Sequence, residues 1–143
     1  MIQRIQSLLL LFSTLLSALL LYLPVYELIS VPDNVSVVTR FTIMSSALLV
    51  ILNGGIGILS FFAIFLYRTR NIQIRMCNLA LLLSCVLIGL LFFVADTMST
   101  SMNQKIHYLY GSYIPLIQVL IIFLAIRAIK RDESLIRSAD RLR

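Results

Sequence analysis

Charge divides this chain, and the stretches between charges are long. Uncharged runs extend from Ile5 to Tyr26, from Phe41 to Tyr67 and from Met76 to Ala95, which are 22, 27 and 20 residues. A fourth, the 21 residues from Ile106 to Ile126, holds His107 as its one group that titrates near neutral pH. About 20 apolar residues carry a helix across a hydrocarbon core of ~30 Å, and all four runs reach that length. Backbone groups in lipid must be satisfied within the segment, so helix is the expected form. A barrel would need alternating polar and apolar residues, and Leu8–Phe12 and Leu79–Leu83 do not alternate. The expectation is therefore an all-α integral membrane protein. It has one domain, with four transmembrane helices in an antiparallel bundle and spans at about 7–26, 43–67, 76–95 and 109–127. A basic cytoplasmic helix, 128–143, would follow.

Composition agrees. Of 143 residues 60% are hydrophobic and 13% charged, roughly half the charged share usual in soluble domains. A soluble chain this short could not hide so much apolar surface. The net charge of +6 is spread over short segments between the apolar runs. That suits anionic lipid headgroups rather than nucleic acid.

Lys and Arg set the expected orientation. Arg4, then Arg68, Arg70 and Arg75, then Arg127, Lys130, Arg131, Arg137, Arg141 and Arg143 make ten on one side. Arg40 and Lys105 make two on the other. The positive-inside rule places the larger group, and with it both termini, in the cytoplasm. Arg4 followed by Ser7–Leu21 resembles a signal peptide only superficially. The apolar part is too long and no small-x-small site follows, so Tyr22–Tyr26 reads as the outer end of a retained helix. In the fourth span Pro115 falls in the first turn, where it is tolerated. Tyr108, Tyr110 and Tyr113 lie where an interfacial aromatic belt would be.

The connections have their own signals. Pro32-Asp33-Asn34 is a turn cluster, and the β-branched run Val35–Thr39 suits a short extended segment. Asn34-Val35-Ser36 fits a glycosylation acceptor, a triplet that also arises by chance. Arg68–Arg75 is short, so spans two and three should form a hairpin. Asp96–Lys105 reads as a Ser/Thr/Asn-rich outer connection. In the tail, Leu135, Ile136, Ala139 and Leu142 share a helix face, and Glu133 and Arg137 form an i,i+4 pair. Such a helix either lies on headgroups or extends the fourth span into water.

Inside the spans the sequence offers packing rather than reactive groups. Ser46, Asn53 and Ser60 recur every seven residues, with Gly57 one turn from Asn53. Small residues allow close helix approach and Asn or Ser can bond across the contact. Asn78, Cys85, Gly89 and Asp96 form a similar expected face on span three, and Ser7, Thr14 and Ala18 on span one. Cys77 and Cys85 are eight residues apart on one helix, roughly 12 Å, too far for a disulfide within the chain. No Asp, Glu, Lys or Arg lies deep in any span, which weakens an ion-coupled carrier. Four-helix multidrug carriers of similar size depend on a membrane-embedded Glu. Four-helix quinone-linked disulfide enzymes need a Cys-x-x-Cys, which the sequence lacks. His107 has no Cys, Asp or Glu cluster beside it. No catalytic, cofactor or metal residue is expected.

Both ends carry recognisable segments. Met-Ile-Gln-Arg-Ile-Gln opens the chain before a Leu-rich span. Ala125-Ile126-Arg127-Ala128-Ile129-Lys130-Arg131-Asp132-Glu133, then Leu135 and Arg137–Arg143, close it. These resemble a small family of four-helix Bacteroidetes proteins catalogued only as a domain of unknown function. The resemblance implies the inner membrane of a Gram-negative bacterium and implies no activity. Both segments fall on the expected cytoplasmic side. Arg4, Arg68, Arg70, Arg75, Arg127, Lys130, Arg131, Asp132, Glu133 and Arg137 are thus the candidates for protein recognition or lipid contact. The expected function is a non-enzymatic subunit, assembly factor or scaffold of a membrane complex, with a membrane-protein partner or a second copy of itself. The alternative is a small transporter or channel component acting as an oligomer.

Overall fold

The computed structural model describes residues 3–30, 37–102 and 104–140. Its helices are α1 (Gln3–Tyr22), α2 (Ala47–Phe65), α3 (Arg70–Met102) and α4 (Ile114–Asp140). All four are long and apolar enough to cross a membrane. α1 packs on α2 and α4, and α3 packs on the same two, so the contacts close into a ring. The apolar centre includes Leu10, Leu20, Leu49, Ile56, Leu87, Leu91 and Ile122. Large apolar side chains also remain exposed on every helix, among them Phe12, Phe62, Phe93 and Phe123.

The connections are not all helical, which corrects the all-α expectation. α1 stops at Tyr22 rather than at 26. Pro24 has no N–H to donate, and its ring disfavours helical backbone at Leu23 before it. The chain instead enters β1 (Pro24–Ser30). β1 is the central strand of an antiparallel sheet of order β2-β1-β3, with β2 spanning Val37–Thr42 and β3 Lys105–Tyr108. Val37–Thr39 of the expected extended segment belong to β2. Pro32–Ser36, including the whole glycosylation triplet Asn34-Val35-Ser36, lie outside the described residues. The sheet joins the α1–α2 connection to the α3–α4 connection at one end of the helices, through β1–β3 pairs from Tyr26–Tyr108 to Ile29–Lys105 that are 82 to 76 residues apart in sequence.

Side chains explain why this small sheet persists. Val25, Tyr26 and Leu28 are buried, and Tyr26 stacks on Phe41 with ring centroids 5.3 Å apart. Glu27 and Arg40 face each other in register and form an ion pair at 3.7 Å. Burial pushes the Tyr26 phenol up from its ordinary value, with Ser45 the smaller, opposing influence. A 3₁₀ turn, Tyr110–Tyr113, then presses α4's entry onto β1. The Leu109 N–H donates to Val25 O at 2.9 Å. A Cβ on Gly111 would lie 2.5 Å from Pro24 O, so no side chain fits there.

α3 is longer than its expected span of 76–95. At 33 residues it measures ~50 Å at 1.5 Å per residue. Its C-terminal end, through Met102, absorbs most of the expected Asp96–Lys105 loop. Thr97 and Thr100 bond the carbonyls of Phe93 and Asp96 four residues back, so these polar residues satisfy themselves within the helix. At the other end only a 3₁₀ turn, Leu66–Arg68, and Thr69 separate α2 from α3. α4 runs unbroken through the first part of the expected tail, so that segment extends the fourth helix.

Candidate functional site

Two polar features stand out, a seam inside the helices and a groove at their terminal end. The seam begins with α1 against α2. Ser17 Oγ donates to Asn53 O at 2.7 Å and to Asn53 Oδ1 at 3.0 Å, and Asn53 Nδ2 donates back to Ser17 O at 2.8 Å. Ser13 and Ser60 hydroxyls meet at 3.3 Å. Gly57 makes this approach possible, since a Cβ there would lie 2.9 Å from Ser17 Oγ. Gln118 of α4 donates to Ser13 O at 3.2 Å, and Gln73 of α3 donates to Ala63 O of α2 at 3.0 Å. Asn53, Ser60, Gln73, Gln118, Ser13 and Ser17 are all buried. Each of these residues bonds to a neighbouring helix, although the Gln118 Oε1 acceptor is buried without a partner.

Several expected packing residues lie elsewhere. Asn78, Cys85 and Gly89 are exposed, as is Asp96. The inward face of α3 is instead Gln73, Cys77, Ala80, Ser84, Leu87, Leu91 and Ala95. The seven-residue spacing was sound, but the phase was off by one residue. Small size does not mark the contact here, since large Leu and Gln side chains help to fill this interface. On α1 Ala18 is exposed, and Ser7 and Thr14 are only half-buried. Thr14 bonds its own helix at Leu10 O. The inward residues Gln6, Ser13 and Ser17 were missed, although their spacing repeats the pattern used on span two. Ser46 is half-buried at the start of α2 and caps it without a side-chain bond.

The groove lies where the first and last helices meet. Gln6 Nε2 donates to Asp132 Oδ2 and to Ala128 O at 3.3 Å. This clamp joins the two terminal segments that carry the family resemblance. Asp132, expected as an exposed charge in the tail, is buried. Its Oδ1 is buried too and has no hydrogen-bond partner. Beside the clamp a groove of about 440 Å³ is lined by Ile5, Leu9, Leu124, Arg127, Ala128, Arg131 and Asp132. Leu124, Arg127, Ala128 and Arg131 share one face of α4 at i, i+3, i+4 and i+7. Ile5 and Leu9 face them from α1. Arg127, Lys130 and Arg131 are exposed, Glu133 and Arg70 half-buried, and Arg75 exposed. The side chains of Arg4, Arg68, Leu135, Ile136, Arg137 and Ala139, and all of Leu142, lie outside the described residues.

Chemically the groove offers two cations, one carboxylate with a free acceptor, and an apolar wall. Among the described residues no group of three His, Cys, Asp or Glu could hold a metal ion. Cys77 is buried and Cys85 exposed, and both are free thiols. Residues 2–142 match the model of one protein family, described as a domain of unknown function (DUF4293). No curated protein and no solved structure matches the chain.

Proposed function

We infer, for a chain that belongs to the DUF4293 family, a non-enzymatic role as a subunit, assembly factor or scaffold of a bacterial inner-membrane complex. In this reading its four helices form an antiparallel bundle across the bilayer, with both termini in the cytoplasm. The ten-to-two distribution of Lys and Arg supports that orientation. Apolar side chains exposed on all four helices suit lipid as the surrounding solvent. The sheet would then lie on the outer side, and the groove and clamp on the cytoplasmic side.

One observation carries the functional reading. Most buried polar side chains between the helices bond to one another or to backbone carbonyls, Gln118 Oε1 excepted, while charged side chains gather where α1 begins and α4 ends. Interior bonding of that kind supports helix packing more than a solute pathway. Interspersed charges at a helix end suit a protein partner, where complementarity sets register and specificity. The test has two arms. Reporter fusions after Arg143 should behave as cytoplasmic, and fusions in the β1–β2 connection as periplasmic. Tagged full-length chain, extracted gently, should retain a membrane-protein partner that is reduced when the chain is truncated after Ser134, which keeps the Gln6–Asp132 clamp. A periplasmic tail overturns the topology. Equal recovery by both chains, or recovery of neither, overturns the partner role of the cytoplasmic end.

A further inference from the structure

A buried carboxylate oxygen without a donor is expensive in any protein, since nearly all buried polar atoms find a partner. Asp132 Oδ1 is such an atom, and Asp132 lines the terminal groove. Gln6 satisfies the other oxygen and leaves this one buried without a partner. A ligand that fills the groove therefore has to bring a donor, best a cationic one. Arg127 and Arg131, on the same groove, ask for the opposite sign beside it. Guanidinium groups bind phosphate oxygens with two parallel N–H donors. Ile5, Leu9 and Leu124 then ask for hydrocarbon, and Ile5 and Leu124 are themselves exposed on the outer surface of the helices. The groove thus opens toward the side where lipid would lie, and its ~440 Å³ is within the range of small-molecule sites.

We propose that this groove binds one phospholipid with a primary-ammonium headgroup. Its phosphate would lie on Arg127 and Arg131, its ammonium on the open oxygen of Asp132, and the start of an acyl chain along Ile5, Leu9 and Leu124. An anionic lipid without an amine satisfies the arginines and leaves Asp132 unmet. A trimethylated headgroup has the charge but no N–H to donate. The site thereby selects phosphoethanolamine lipid from lipids of equal chain length. This assignment rests on the membrane insertion inferred above.

The test uses the full-length chain in a mild detergent, titrated with dioleoyl phosphatidylethanolamine, phosphatidylglycerol or phosphatidylcholine, with bound lipid counted by native mass spectrometry. Phosphatidylethanolamine should bind the wild type about tenfold tighter than either competitor, the effect of one charge-assisted hydrogen bond. Asp132→Asn, which keeps an acceptor for Gln6, should erase that preference. The double variant Arg127→Gln with Arg131→Gln should weaken the phosphate-bearing lipids as a group. Gln6→Met removes the clamp but keeps the carboxylate, and should keep the preference. Equal binding of the three lipids by the wild type, or a preference that survives Asp132→Asn, overturns the site. So does loss of preference in Gln6→Met, which would make the effect one of helix packing. Carbonate extraction of the same expressed chain tests insertion separately: release from membranes refutes the membrane reading, whereas firm retention without lipid preference refutes the groove alone.

Discussion

Replacing Asn53 by Leu should weaken the α1–α2 contact by an amount the structure bounds. Leu matches Asn in side-chain heavy atoms and in branching at Cγ, so the change leaves no cavity. The bond from Asn53 Nδ2 to Ser17 O vanishes, and with it the longer branch of the shared Ser17 hydroxyl proton, Ser17 Oγ to Asn53 Oδ1. Ser17 Oγ keeps its bond to the Asn53 backbone carbonyl, so it is not orphaned. Interhelical bonds in membranes contribute roughly 0.6 to 1.7 kcal/mol each, so the pair contributes about 1 to 3 kcal/mol. At 1.4 kcal/mol per factor of ten, that is roughly a fivefold to hundredfold change in the folding equilibrium. Reversible unfolding in mixed micelles, titrated with sodium dodecyl sulfate and followed by far-UV circular dichroism, reads this directly. Asn78→Leu is the internal control, because Asn78 is exposed on α3 and its loss should move the midpoint little. Equal effects of the two substitutions, or an Asn53→Leu effect below about 0.3 kcal/mol, would refute the inward phase of α2 and the energetic weight given to the seam.

Three further outcomes follow from the same geometry. Gly57→Ala places a Cβ 2.9 Å from Ser17 Oγ, while Gly54→Ala meets nothing within 4 Å; Gly54→Ala should gain up to ~1 kcal/mol of helix propensity, and unfolding midpoints of the two variants should differ by more than ~1 kcal/mol in its favour. Gly111→Ala drives a Cβ into the Pro24 carbonyl, where backbone cannot yield as a side chain can, and a thermal scan should show a loss of about 1 to 3 kcal/mol. The raised Tyr26 pKa means that the folded state holds its proton more tightly than the unfolded chain. Stability tied to that phenol is intact below the unfolded value of about 10 and falls as pH rises beyond it; Tyr26→Phe should flatten the alkaline limb of a stability–pH curve.

Helix count and rough position were legible because lipid-length apolar runs leave little choice. The Asn53 region of α2 was legible as well, since an Asn, a Gly and a Ser on one helical face have few reasons to occur together in an apolar run. The inward phase of α3 was not. There the buried positions are mostly Leu, Ala and Cys, chemically close to their exposed neighbours, so periodicity carried no contrast. The sheet escaped for a different reason. Val25, Tyr26 and Leu28 continue the apolar character of α1, and only Pro24 marks the switch from helix to strand. Its pairing with β3 is a long-range event that no local pattern announces. Asp132 was unreadable as a buried group because its nearest sequence neighbours, Arg131 and Glu133, make it look like part of a solvated charge run. Its partner, Gln6, is 126 residues away.

The Gln6–Asp132 clamp also bears on the order in which the chain can be completed. During synthesis α1 emerges well ahead of α4, yet the two are neighbours. The hairpin of α1 and α2 can close early through Ser17, Asn53 and Gly57. Gln6 and the Ser13 carbonyl that receives Gln118 must wait until α4 arrives. Until then α1 carries an unfilled side, and β1 likewise pairs with β2 long before β3 exists. The last helix therefore acts as a latch. It brings contacts at both ends of the ring, the Gly111 turn on the sheet side and the Gln6 clamp on the other. A chain released before residue 132 should stay open along one flank, with its first helix available to any other helix that offers a donor.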